Sequence, residues 1–161
     1  MNEHLQNLAE RESEFAGEGR GEGSLSPFIV QETTGFSKSA LREGEFYIGF
    51  DIHPEDIEAL YFEGLKLPRW ESIPGDDVAE KQAIYHKSLA ECTANYPLIG
   101  RVNDTDQRVK FTPEETAGLR QECETLLNGA DSGKAIKALQ KFYIACDKAA
   151  GRQMGLILIP S

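Results

Sequence analysis

Residues 154–159, with the sequence MGLILI, bear most directly on how this chain folds. The stretch contains only glycine and apolar side chains, so a strand formed here would turn an apolar face to both sides. Strands of this kind lie in the interior of a sheet. A membrane-spanning helix needs about 20 apolar residues, and no run in the chain approaches that length. We therefore predict an interior strand at this position.

Residues 45–52, EFYIGFDI, give the clearest alternating pattern. Every second side chain is apolar, which predicts a strand with one buried face. The apolar positions are Phe46, Ile48, Phe50 and Ile52. Shorter strands are predicted at residues 28–31, 98–102 and 108–111, the last two as a hairpin around the polar turn at residues 103–106.

Helical periodicity and capping residues define the rest of the fold. Four helices are predicted, and they run from Pro54 to Gly64, from Asp76 or Asp77 to about Cys92, from Thr112 to Asn128, and from Asp131 or Ser132 to Gly151. Together these elements predict an α+β fold, in which a single layer of four to five mostly antiparallel strands packs against about four helices.

The first 23 residues form a segment of different composition. Residues 17–23 read GEGRGEG, and alternating glycines and charges hold neither a helix nor a strand. A short helix over residues 5–15 is conceivable before them. We predict a flexible, acidic, glycine-rich segment over residues 1–23 and one globular domain over residues 24–161.

Acidic residues are concentrated in one span. Residues 43–80 carry 11 acidic side chains and two basic ones, Lys66 and Arg69, within a chain of net charge −10. Nucleic acids and anionic membranes need Lys and Arg for binding, so neither is expected as a direct ligand. A basic protein is the expected partner, because a one-sided field steers association.

Aromatic side chains inside this span complete a predicted binding face. Trp70 lies in a loop between two prolines, and Phe62 lies off the apolar face of its helix, so both could anchor a partner. The predicted partner-binding residues are Asp51, Glu55, Asp56, Glu58, Phe62, Glu63, Trp70, Glu71, Asp76 and Asp77. The hypothesis is a non-enzymatic protein of the immunity-protein or inhibitor type that neutralises a basic partner.

Two alternatives remain open at this point. A small metal-dependent hydrolase could use Asp51, His53 and Glu55, which follow one another at a strand end and a helix start. A structural or adaptor module could instead be tethered by residues 1–23. No serine elbow or histidine-rich metal motif is present, so no catalytic residue, metal or cofactor is predicted.

The cysteines indicate the cellular compartment in which the protein is expected. Cys92, Cys123 and Cys146 are an odd number, widely spaced, and all lie in predicted helices. Buried, reduced thiols are the expected state, and this predicts a cytoplasmic protein.

Overall fold

The computed structural model describes residues 3–19, 22–30, 46–102 and 106–160, and it contains a four-stranded antiparallel sheet. The strands are β1 (Leu25–Val30), β2 (Phe46–Tyr47), β3 (Val109–Phe111) and β4 (Gly155–Pro160). Their order across the sheet is β2-β1-β4-β3, with Leu25 opposite Pro160 and Val109 opposite Leu158. The predicted interior strand is confirmed, since β4 has a neighbour on each side.

Among the described residues, five α-helices accompany the sheet, which confirms the α+β fold. They are α1 (Leu8–Gly17), α2 (Pro54–Ala59), α3 (Val78–Asn95), α4 (Pro113–Gly129) and α5 (Gly133–Gly151). The predicted capping box at the start of α4 is present: Thr112 Oγ1 accepts from the Glu115 N–H at 3.2 Å, and Glu115 Oε1 accepts from the Thr112 N–H at 3.0 Å. These bonds satisfy donors that the first turn of a helix leaves open.

Helices α4 and α5 pack on each other and on the sheet, and the core lies between them. Leu119, Phe142 and Leu156 are fully buried there. Helix α5 is buried on two faces because it lies at the centre of the helical layer, in contact with α1, α2, α4 and the sheet. Helix α3 differs, because none of its 18 residues is buried.

The predicted strand over residues 45–52 is only partly formed. Residue 45 lies outside the described residues, and only Phe46 and Tyr47 form a strand. Gly49 takes φ 109°, which turns the chain, and Ile52 then returns to β1 as a single bridge to Leu25. Ile48, Phe50 and Ile52 are buried as predicted, but Phe46 is 52% exposed, so the prediction of one continuous buried face was wrong.

The strand predicted over residues 98–102 is not present. A 3-10 turn occupies Ile99–Arg101 instead. Gly100 lies so close to Thr93 that a Cβ there would stand 3.1 Å from the Thr93 Cα. The turn therefore brings the chain against the end of α3, and a hairpin with β3 is excluded. Residues 103–105 of the predicted hairpin turn lie outside the described residues.

Part of the N-terminal segment packs on the domain. Phe15 of α1 is 1% exposed and meets the Phe50 ring edge-on, with 5.6 Å between ring centroids. Lys148 of α5 pairs with Glu12 at 2.5 Å. Helix α1 thus contributes the Phe15 ring to the core. The division of the chain at residue 24 and the tethering role of residues 1–23 stay predictions.

Within the described ranges, no helix combines the length and the apolar composition needed to cross a bilayer.

Candidate functional site

A groove of about 280 Å³ opens between α2, the π-helical turn Leu60–Gly64 and the start of α5. Four of the predicted partner-binding residues line it, together with basic side chains from the facing segments. The lining residues are Glu55, Asp56, Glu58, Ala59, Glu63, Arg69, Lys134 and Lys137. The sequence predicted the acidic wall of this groove but not the basic one, which comes from a helix 80 residues further along the chain.

The predicted acidic face lies largely at the surface. We call its seven exposed or half-exposed carboxylates the acidic surface, namely Glu55, Glu58, Glu63, Glu71, Asp76, Asp77 and Glu80. The two basic side chains of this span are already paired, Arg69 with Glu58 at 3.0 Å and Lys66 with Asp131 at 3.0 Å. Among the described residues, only Glu58 of the acidic surface has an ion-pair partner.

Two aromatic side chains adjoin the acidic surface. Trp70 is 37% exposed, and Lys81 of α3 stands 4.9 Å from the centroid of its ring. Phe62 is half-buried and carries the Arg69 guanidinium at 4.6 Å. Arg69 lines the groove, and the next residue, Trp70, contacts Lys81 of α3, so a chain of contacts leads from the groove to the start of α3.

Asp51 does not lie on this surface, contrary to the prediction. It is fully buried, and its Oδ1 accepts from the Ser26 hydroxyl at 3.0 Å and from the Tyr47 hydroxyl at 2.6 Å. The turn at Gly49 directs the chain inward at this point and takes the carboxylate with it. Asp51 therefore organises the irregular segment after β2 and makes no contact with solvent.

Asp56 is also buried, at 5% exposure, and as the one buried carboxylate of the lining it forms the floor of the groove. Its Oδ2 accepts from the His53 N–H at 2.9 Å and from Lys141 Nζ at 2.6 Å. Asp56 therefore joins the groove to a charged cluster inside the protein.

Lys141 is the centre of that cluster, and sequence reasoning missed it. Its side chain is fully buried, and its ammonium also donates to the Asp51 carbonyl at 2.9 Å and lies 2.9 Å from Glu18 Oε1. One cation thus joins α1, α2 and α5. A signal was present: alanines at 135, 138, 145 and 149 form a second buried face of α5, and Lys141 lies on that face.

Glu18 completes the cluster from the end of α1. Burial raises the pKa of its carboxyl, but hydrogen bonds from Lys137 and Lys141 outweigh that effect, and the pKa lies below its ordinary value. The carboxylate is therefore held in its charged form between two ammonium groups. This arrangement balances the charge that Lys141 brings into the interior.

The predicted Asp51–His53–Glu55 cluster is not assembled. His53 Nδ1 lies 2.8 Å from the hydroxyl of Ser24, a fully buried residue, and His53 Nε2 lies 3.8 Å from Glu18 Oε1. Glu55 is exposed and lines the groove, whereas the Asp51 carboxylate is buried. No three His, Cys, Asp or Glu side chains of the described ranges are arranged to hold a metal ion.

All three cysteines are free. Cys123 and Cys146 are fully buried, and burial raises the pKa of both thiols. Cys92 is half-buried, and its pKa is raised by burial and by the neighbouring Glu91. Thiolates, the reactive form, are thus disfavoured at all three positions.

Comparisons of the chain with protein-family models, with curated proteins and with solved structures find no match.

Proposed function

We propose that this protein binds a basic protein partner through the acidic surface and blocks that partner, as an immunity protein or inhibitor does. The observation that carries the proposal is the acidic surface itself. The seven carboxylates are carried by α2, the turn that follows it, the 3-10 turn Trp70–Ser72 and the start of α3, and the two basic side chains of residues 46–80, Lys66 and Arg69, are engaged in ion pairs. Residues 46–80 carry nine acidic side chains against two basic ones, and this excess of carboxylates favours encounter with Lys- and Arg-rich surfaces.

Trp70 is the proposed anchor of the complex. It is partly exposed, it lies between the groove and α3, and it is flanked in the sequence by Glu71. Partly exposed tryptophans surrounded by charge are frequent hot spots, because the ring fills a pocket while the rim excludes water. Val78, 58% exposed at the start of α3, would extend the apolar part of the contact.

The proposal includes a cytoplasmic location. Three free cysteines, two of them buried in the core, support it, since reducing compartments keep thiols of this kind unpaired.

Affinity capture with the full chain from host lysate, at low and at high salt, identifies the partner. The expected result is one basic protein that is retained at low salt and depleted at high salt, because exposed ion pairs are screened. The captured protein is then purified, and its own activity is measured with and without the chain. Loss of that activity at stoichiometric amounts supports the proposal, and full activity in a stable complex contradicts inhibition.

Variants locate the contact. Trp70→Ala should weaken binding by about 2 kcal/mol or more if the ring is an anchor. The triple variant Glu71→Gln, Asp76→Asn and Glu80→Gln should slow association and flatten the salt dependence. The control is Glu114→Gln with Glu124→Gln, which removes exposed charges of α4. Equal behaviour of the triple variant and the control would place the binding face elsewhere.

A further inference from the structure

The floor of the groove carries a hydrogen-bond acceptor that the described part of the protein leaves unused. Asp56 is more than nine-tenths buried and lines the groove. Lys141 and the His53 N–H both bind its Oδ2, whereas its Oδ1 accepts from none of the described residues and keeps access to solvent. A carboxylate oxygen that is open to the groove can accept a hydrogen bond from a donor that enters it, and such a bond is strong when the donor is charged.

The groove is also biased toward a single positive charge. Its lining contains four carboxylates and three basic side chains, a net charge of −1. Arg69 is paired with Glu58, and Lys137 is paired with Glu18. Lys134 is the remaining cation, and it is exposed at the edge. One further cation next to Asp56, Glu55 and Glu63 would bring the net charge of the groove to zero.

Size restricts what can enter. A volume of about 280 Å³ lies below the ~300–1,000 Å³ that is usual for pockets of whole small molecules. One long side chain from a partner fits this description better than a separate metabolite. The acidic side of the groove already binds one guanidinium of the protein itself: Arg69 pairs with Glu58 and stacks on Phe62.

We propose that this groove receives one arginine side chain of the basic partner, whose guanidinium donates to Asp56 Oδ1 at the floor and to Glu55 or Glu63 on the wall. The inference rests on the proposed function, since it specifies which partner group is recognised. A guanidinium suits the site because its planar fork presents several donors to two carboxylates at once, whereas an ammonium acts as a point charge.

The test is an NMR titration of the ¹⁵N-labelled full chain with three small probes. The probes are N-acetyl-arginine amide, the uncharged isostere N-acetyl-citrulline amide, and N-acetyl-lysine amide. We expect saturable shifts of the amide signals of Asp56, Glu58 and Lys134 with the arginine probe. We expect none with citrulline, and affinity for lysine at least about threefold weaker. Equal shifts with citrulline, or equal affinity for lysine, would overturn the assignment.

A matched pair of variants tests the location without disturbing Lys141. Glu55→Gln with Glu63→Gln removes the wall carboxylates and should weaken the arginine probe by about threefold to tenfold. Glu114→Gln with Glu124→Gln removes two exposed charges of α4 and should leave its affinity unchanged. If both double variants bind the probe as the unmodified chain does, the groove does not hold the guanidinium.

Failure of the arginine-site proposal can be distinguished from failure of the proposed inhibitor function. A captured basic partner that loses affinity in Trp70→Ala but is unaffected by the Glu55 and Glu63 changes would refute the arginine site and leave the inhibitor proposal standing. If the arginine probe binds in the groove but no basic protein is captured, the arginine site stands and the inhibitor proposal is refuted.

Discussion

Replacing Lys141 with methionine tests the buried cluster that joins α1, α2 and α5. Lys141 is fully buried, and Asp56, its closest partner, has a side-chain exposure of 6%. Methionine fills similar volume but leaves the Asp56 carboxylate without its counter-ion. Removing one partner of a buried pair costs about 3–5 kcal/mol. This is a large part of the ~5–15 kcal/mol by which domains are usually stable.

Urea unfolding monitored by circular dichroism measures this loss, and thermal unfolding checks it. For a chain of this size about 1 kcal/mol corresponds to a shift of about 2–4 °C, so Lys141→Met should lower the midpoint by roughly 6–20 °C. The matched control is Lys137→Met, one turn earlier on α5. Lys137 is 34% exposed and pairs with Glu18, so its replacement should cost about 1 kcal/mol or less.

Equal losses in the two variants would refute the reasoning, because the burial difference between Lys141 and Lys137 would then have no energetic effect. A loss below about 1 kcal/mol for Lys141→Met would do so as well.

Three further outcomes follow from the fold. Phe15→Ala should destabilise the protein by about 3–5 kcal/mol in urea unfolding, because the ring is buried in the core; an unchanged midpoint would mean that α1 is not part of the cooperative unit. Gly100→Ala should lower the thermal midpoint, because its Cβ would meet Thr93, including its backbone at 3.1 Å. The Arg101 guanidinium and the capping box lower the pKa of Glu115, so its contribution is present above the unfolded pKa and is lost as pH falls through the folded one. The stability gap between the unmodified chain and Glu115→Gln, measured by urea unfolding at a series of pH values, should therefore be largest above the ordinary pKa of 4.5 and shrink as pH falls below it.

Local patterns predicted the elements that depend on local physics. The capping box at Thr112, the interior character of β4 and the helix opened by Pro54 each follow from neighbours in the sequence, and each is present. Alternation at residues 45–52 failed to predict the turn at Gly49, because a glycine fits an extended strand and a left-handed turn equally well in a pattern.

The candidate site could be predicted only in part for a similar reason. Charge counting identified the acidic wall, since carboxylates 55–63 are close in sequence. It placed Asp51 with them, because a pattern does not reveal that Ser26 and Tyr47 hold that carboxylate inside. Lys141 was missed because its partner Asp56 lies 85 residues away, and no local rule connects them.

The position of β4 has a consequence for synthesis and folding. Its register pairs Leu25, near the start of the domain, with Pro160. Both β1 and β3 therefore lack β4 as a neighbour until it has been synthesised, and among the described residues β1 can pair before then with β2 and with Ile52. Contacts so distant in sequence slow folding and expose unpaired strand edges to other chains. During synthesis the edges of β1 and β3 that pair with β4 therefore stay open until β4 has emerged.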